Sequence, residues 1–471
     1  MGPADSCSGD DTELLESVLG PVQRTCYDAW LSKCLAARYG YFDDPYIAQL
    51  NPLNGALKGT ETSWSCSRRR SGHHAGSNTG AWASTTSRTF CGTRQVQGSH
   101  LPDKHEDTQR APSLARDYQV DPVLLHGTYA RVVALRRIVV SVLDMFWQMP
   151  HERSKALAVQ VLSIGAGMDS LPFWLLAKET KTWTQTLDAG RTSDRKQEQL
   201  QRRQLRYDEL DMEEVAMLKA ACIQRHEALA RAIQAPGHHE IRASSSRGSS
   251  PDSLCAENMA NEGVSCVSPH QVTREARVLV ETPVYGLTAV DLGRGRDAIN
   301  AALKHTRRHR CVSGGPRCTL ILLECILAYL SPNDTAELFE VLREHFCDHP
   351  AVVVCYDPID LSDQFGRHMR ARLEERGAPL LGLNCTVNLK QAIRNLELLF
   401  VPDAAPHSHG RGLDMMQVYK RLLEDPSERS RLDRILVLDE NEELALLMHH
   451  YGLIWVGNTH VGPLNLLGDT Q

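Results

Sequence analysis

Residues 158–176, AVQVLSIGAGMDSLPFWLL, restrict the fold more than any other stretch. An apolar run stops at Gly165-Ala166-Gly167, an acid follows, and a second apolar run carrying a Trp begins at Leu171. That is the pattern of a buried strand, a tight turn and a helix. A strand that is apolar throughout is covered on both faces, which points to a parallel sheet between two layers of helices. Ligands of such sheets bind beyond the carboxyl ends of the strands. Glycine at the turn permits positive φ and removes a Cβ that would block a ligand. The following helix points its N-terminus at the same place and favours a negative group there. The full dinucleotide fingerprint wants a third glycine where Ser170 stands, so a nicotinamide-dependent enzyme is disfavoured.

The rest of the chain fits one α/β domain with interruptions. Residues 12–53 read as an N-terminal helical cap, with apolar positions at helical spacing broken at Gly40 and Pro45. Residues 54–116, rich in Ser, Thr, Gly and Arg, have no period and read as a disordered insertion. Residues 117–190 begin the sheet domain with a helix, ARVVALRRIVVSVLDMFW, and the glycine-bearing strand. Residues 191–275 read as a second biased insertion, and 276–471 as the remainder of the domain. Whether each biased stretch is a true insertion or a gene-model error stays open. In the last segment RVLVETPVYGLTAVDL, CTLILLECILAYL and AVVVCYDPID read as strands. Between the last two, Ser331 fits an N-cap, Pro332 the first helical position and Asp334 a capping box, with Leu338, Val341, Leu342 and His345 on one face.

Composition narrows the function classes. Net charge is -6 over 471 residues, which gives no sign of nucleic-acid binding. No run of about 18 uncharged apolar residues predicts a membrane span. The N-terminal MGPADSCSGDD is polar and acidic, unlike a secretory or transit signal, and the 14 scattered Cys read as reduced thiols, so a cytoplasmic location is expected. His pairs at 73–74, 238–239 and 449–450 lack accompanying Cys-x-x-Cys spacing, so no metal is expected.

Several polar residues interrupt apolar runs. Glu324 stands inside LLECILAYL, where an unpaired carboxylate is costly, so it should sit at the rim with a partner. Asp291-Leu292 ends TAVDL, and Asp291 reads equally well as a ligand contact or a helix cap. Asp188, 23 residues after Gly165, falls about where the acid of a second strand would hold ribose hydroxyls.

Taken together, YGYFDDPYIAQL, GTYARVVALR, VLSIGAGMDSLPFWL, AVDL, LLECILAYLSP, CYDPIDLSDQFGRHM, LDMMQVYKRL and LDENEELALLMHHY resemble the leucine carboxyl methyltransferases, a branch of the class I S-adenosylmethionine-dependent methyltransferases. They occur in the family's order and cover about two thirds of the chain. The resemblance implies a Rossmann-like, mostly parallel sheet with helices on both faces. It implies S-adenosylmethionine as cofactor, and as partner the catalytic subunit of protein phosphatase 2A, methylated on the α-carboxylate of its C-terminal leucine. It also implies roles: Lys33 and Arg131 as cations of the site, Gly165 under the cofactor's amino acid, Asp188 on its ribose, Asp291 and Leu292 framing its adenine, Glu324 completing the pocket and Tyr329 on the substrate side. The chain departs from the family's Arg-Gly-Tyr before Ala-Arg, having His126 and Thr128 instead.

The chemistry asks for no general base. An α-carboxyl group, with a reference pKa of about 3.3 to 3.7, is already ionised at neutral pH. In-line positioning can supply up to roughly 7 to 11 kcal/mol. Cations that capture carboxylates matter most, and Arg131, with its planar fork, is the leading candidate. The residues leave open whether it holds the cofactor's carboxylate, the acceptor's or both. A small molecule or a tRNA base as acceptor, and a non-catalytic phosphatase-binding homologue, remain the alternative readings.

Overall fold

The structure, a computed structural model, describes residues 19–53, 121–149, 157–188, 203–234, 276–308, 317–403, 409–436, 438–461 and 464–467. In chain order the helices are α1 (Pro21–Arg38), α2 (Pro122–Gln148), α3 (Leu171–Asp188), α4 (Glu213–Arg225), α5 (Glu227–Ala232), α6 (Arg296–Arg308), α7 (Pro332–Phe346), α8 (Gln364–Glu375), α9 (Leu389–Phe400), α10 (Met415–Leu422), α11 (Pro426–Leu432) and α12 (Asn441–His449). The strands are β1 (Leu157–Ile164), β2 (Arg203–Asp211), β3 (Ala276–Glu281), β4 (Tyr285–Val290), β5 (Arg317–Glu324), β6 (Ala351–Pro358), β7 (Gly410–Asp414) and β8 (Tyr451–Gly457).

These strands form one sheet in the order β3-β4-β2-β1-β5-β6-β8-β7. The five central strands β4, β2, β1, β5 and β6 run parallel to one another. β8 runs antiparallel to both β6 and β7, and β3 antiparallel to β4. The order reverses between β1 and β5, so the carboxyl ends of those two strands flank the crevice where such sheets bind ligands.

Alternation along each strand builds two cores. One face sends Val159, Val161, Tyr207, Leu322, Val354 and Trp455 into a core shared with α1 to α4, α10 and α12. The other sends Leu162, Ile164, Leu323, Val353 and Val456 against α6, α7 and α9. α7 starts as its sequence requires: Ser331 accepts from Asp334 N, the Asp334 side chain returns the bond, and Leu338, Val341, Leu342 and His345 are buried. α2 is capped by Asp121, which accepts from Val123 N and Leu124 N, with Pro122 in the first turn.

The two insertions fare differently. Residues 54–116 lie outside the described residues. Of 191–275, residues 203–234 form β2, α4 and α5, so this part is sheet and cover rather than insertion; 235–275 lie outside. β2 is RQLRYDELD, a central strand full of charge. Its carboxylates are satisfied inside: Asp208 accepts from Gln160 Nε2 at 2.6 Å and Arg206 Nε at 2.9 Å, and Glu209 from Lys219 Nζ at 2.8 Å and Tyr285 OH at 2.5 Å. Buried charge survives only when so paired.

Asp44, in the DDPYI stretch, ties the N-terminal segment to the sheet domain. Its carboxylate accepts from Tyr46 N, Ile47 N, Arg136 Nη2 at 2.6 Å and Ser170 Oγ at 2.5 Å. The Arg136 guanidinium then lies 4.5 Å from the Trp174 ring. No described helix is long and apolar enough to cross a membrane.

Candidate active site

At the end of β1 the chain turns through two positive-φ glycines, Gly165 at 69° and Gly167 at 55°. The Gly165 N–H reaches the Leu210 carbonyl at 2.8 Å, and the Gly167 N–H reaches Asp211 Oδ2 at 2.5 Å. The other Asp211 oxygen takes the Met212 N–H at 2.7 Å. Burial pushes the Asp211 carboxyl up, while the two backbone N–H groups and Lys219 pull it back. A carboxylate so placed, at the carboxyl end of the second strand, is the acid the sequence pattern called for.

Asp188 is not that residue. It is the last residue of α3, a helix that runs through the polar TWTQTLD segment expected to be the second strand. Residues 189–202, which follow, lie outside the described residues.

The space beside the two glycines is taken by protein side chains. A Cβ on Gly165 would come within 2.8 Å of the Ile326 side chain, so this glycine makes room for the turn after β5. A Cβ on Gly167 would lie 3.6 Å from Cys26 of α1. Thus α1 and the 325–329 turn close in on the two glycines from either side.

Three of the expected residues meet here. Lys33, from the middle of α1 and 6% exposed, reaches Asp169 Oδ1 at 2.9 Å and Glu324 Oε1 at 3.3 Å. Arg131, one third of the way along α2, donates from Nε to the same Glu324 oxygen at 2.5 Å, and its Cζ lies 4.9 Å from the Tyr356 ring. Burial works against the Lys33 charge, but Asp169 and Glu324 outweigh it and hold the ammonium above its ordinary value. Burial likewise opposes the Asp169 charge, and Lys33 with Lys219 overcomes it, bringing Asp169 down to about 2. Glu324 therefore stands at the rim with two cationic partners. Among the described residues only Nε of Arg131 is engaged in a hydrogen bond, which leaves both terminal nitrogens for a ligand.

The remaining expected residues line the same edge. Asp291 caps a short 3-10 turn, accepting from Gly293 N at 3.0 Å, and Leu292 is buried in the second core. The cap reading is the one the geometry displays. Tyr329, on the turn after β5, pairs with Thr25 of α1; burial pushes its phenol up to about 12.

Sequence reasoning missed Asp169, Asp211, Cys325, Tyr356, Asp357 and Tyr451. Cys325 adopts φ 54°, rare for a side chain with a Cβ, and so turns the chain sharply after Glu324. Asp357 is 4% exposed and accepts from Ala328 N at 3.3 Å, pinning the turn that carries Tyr329. Burial pushes its carboxyl to about 7. One signal was present: YDELD ends in an acid directly before the acidic first turn of α4. The third His pair has structural uses, His450 facing Asp363 at 3.2 Å and His449 facing Asp414 at 3.4 Å; the other two lie outside the described residues. Among the described residues no group of three or more His, Cys, Asp or Glu could hold a metal ion.

A sheet of this order, with glycines ending β1, an acid ending β2 and an antiparallel β8 between β6 and β7, defines a class I methyltransferase fold. No family model matches the chain. The chain is similar to the leucine carboxyl methyltransferases 1 of Aspergillus fumigatus (26% identity, 71% of this chain and 72% of the relative) and Cryptococcus neoformans (26%, 73% and 81%), and to the Arabidopsis thaliana homologue (26%, 76% and 83%). The resemblance carried by the motifs is thereby borne out. Among solved structures, a proposed methyltransferase of Thermobifida fusca matches at 13% identity over 71% of this chain and 82% of that chain, with a TM-score of 0.34. The fold assignment rests on the strand order itself.

Proposed function

We propose that the chain transfers a methyl group from S-adenosylmethionine to the α-carboxylate of the C-terminal leucine of the protein phosphatase 2A catalytic subunit. The single observation that carries this reading is Arg131: a largely buried guanidinium fixed through Nε, with its two terminal nitrogens unspent. That is the equipment for gripping a carboxylate. The names of the relatives support a leucine carboxyl group as the acceptor.

The donor set suits the cofactor. Asp211, rather than Asp188, would take the ribose hydroxyls; Gly165 and Gly167 bring backbone close to the amino acid end; Asp291 and Leu292 would flank the base. When bound, the cofactor supplies a methyl group on a positively charged sulfur. Lys33 and Arg131 place positive charge where carboxylates gather, and Glu324 keeps the Arg131 fork in one orientation. No residue need remove a proton, because the acceptor is ionised at neutral pH. Holding nucleophile and methyl in line in a site closed by α1 is the main contribution.

The test is transfer of a labelled methyl group to the phosphatase catalytic subunit. Base-labile label is expected, and none on a subunit lacking its terminal leucine or in the Arg131→Ala variant. Label that survives base, or label independent of the tail, overturns the reading.

A further inference from the structure

We propose that Tyr356 and Tyr451 form, with Arg131, the acceptor-side wall of this site and determine its specificity: the ring pair receives a branched apolar terminal side chain while the free guanidinium nitrogens receive the adjoining carboxylate. The proposal rests on the carboxyl-methylation reading above and assigns residues to its specificity.

Sheet order separates the two halves of the site. Gly165, Asp211 and Asp291 close β1, β2 and β4, all on one side of Glu324. β6 and β8 lie on the other side, away from the groups suited to a nucleoside. Tyr356 lies near the carboxyl end of β6. β8 is antiparallel to it, so Tyr451, its first residue, pairs with Pro358 and stands at the same edge of the sheet. The two rings stack with centroids 5.4 Å apart and planes within 11°. Arg131 Cζ lies 4.9 Å from the Tyr356 centroid, so the cation and the ring pair form one continuous surface.

That surface is amphiphilic. Burial pushes both phenols up, so the rings stay neutral at every physiological pH. Glu324 occupies only Nε of the guanidinium. A neutral apolar wall meeting a two-pronged cation is complementary to a chain end bearing a carboxylate next to a hydrocarbon side chain. It offers nothing to an acceptor ending in a charged side chain. Of the two, Tyr356 belongs to the buried core and Tyr451 is only partly buried beside it, so Tyr451 is the member whose replacement disturbs the core less.

The test compares acceptor peptides ending in Leu, Ala and Lys on the full chain. Wild type should favour Leu over Ala in kcat/KM. Tyr451→Ala should raise KM for the Leu peptide roughly tenfold or more and narrow the Leu-to-Ala ratio. Tyr451→Phe should restore both, since the ring face is the contact. S-adenosylhomocysteine affinity should match wild type in both variants, and Tyr451→Phe, which keeps the stacked ring, should keep the wild-type thermal midpoint. An unchanged Leu-to-Ala ratio in Tyr451→Ala, or a loss of S-adenosylhomocysteine affinity instead, overturns the wall. A wild-type protein that methylates none of the peptides or the phosphatase overturns the underlying carboxyl-methylation reading, and the wall with it.

Discussion

The Gly167 N–H and the Asp211 carboxylate are 2.5 Å apart, joining the glycine turn of β1 to the end of β2. On the function proposed above, this contact would make Asp211 the anchor of the cofactor half of the site. Asp211→Ala should weaken S-adenosylmethionine binding by about 10- to 100-fold, the range for losing a charged hydrogen-bond acceptor. Asp188→Ala should change it by less than about twofold, since Asp188 ends α3. Calorimetric titration of both variants checks the pair, and a strong effect at Asp188 with none at Asp211 would reverse the assignment.

Arg131→Lys separates charge from geometry. Lysine keeps the positive charge but cannot hold Glu324 through one nitrogen while offering a planar fork with two others. The expected result is a fall in kcat/KM of about 100-fold or more, in line with a cost of about 3 kcal/mol for breaking a buried, hydrogen-bonded charge arrangement. Steady-state kinetics beside circular dichroism tests it; near-normal activity would show that charge alone suffices.

α1 carries one buried and one exposed ion pair. Lys33→Met strips Asp169 of its main cation and leaves an unpaired charge, at a cost of about 3 to 5 kcal/mol. Arg376→Ala removes an ion pair to Asp28 whose side chains are 43% and 41% exposed, and should cost under about 1 kcal/mol. Urea unfolding of the two variants measures the contrast, and equal losses would contradict it.

Asp357 gives a pH signature. Its folded pKa, raised by burial to about 7, exceeds the unfolded value, so the folded state holds the extra proton. Its contribution is fully present below the unfolded pKa of about 3.9 and is lost as pH rises toward about 7, at up to roughly 1.4 kcal/mol per pH unit. Asp357→Asn, neutral throughout, should therefore gain on wild type between pH 5 and pH 7 and keep that lead at pH 8. Glu209, also raised to about 7 by burial, keeps its own slope in the variant. Thermal melts across that range decide the matter; parallel curves would place the Asp357 pKa near its ordinary value.

Where pattern and packing agreed, the chain was readable in advance. α7 begins at Ser331 with its capping box, and β5 and β6 are apolar runs in parallel register, because local chemistry and burial demand the same thing there. β2 was illegible for the opposite reason. Arg206, Asp208 and Glu209 look like a solvated surface until Gln160, Lys219, Tyr285 and Glu281 arrive from other elements to satisfy them. Counting from Gly165 then settled on Asp188, inside a helix. At the site, Glu324 stood out as a carboxylate inside an apolar run, whereas Lys33 and Arg131 were marked only by the resemblance to the methyltransferase family. Asp169 and the Tyr356–Tyr451 stack depend on register between distant strands and helices, which no local spacing encodes.

Asp44 carries one more implication. By gathering Arg136, Ser170 and two amides of its own turn, it lets the segments before residue 54 and after residue 120 recognise each other directly. Alignment of the two segments therefore falls to one side chain, and Asp44→Ala would leave the Arg136 guanidinium and two amide N–H groups without their acceptor.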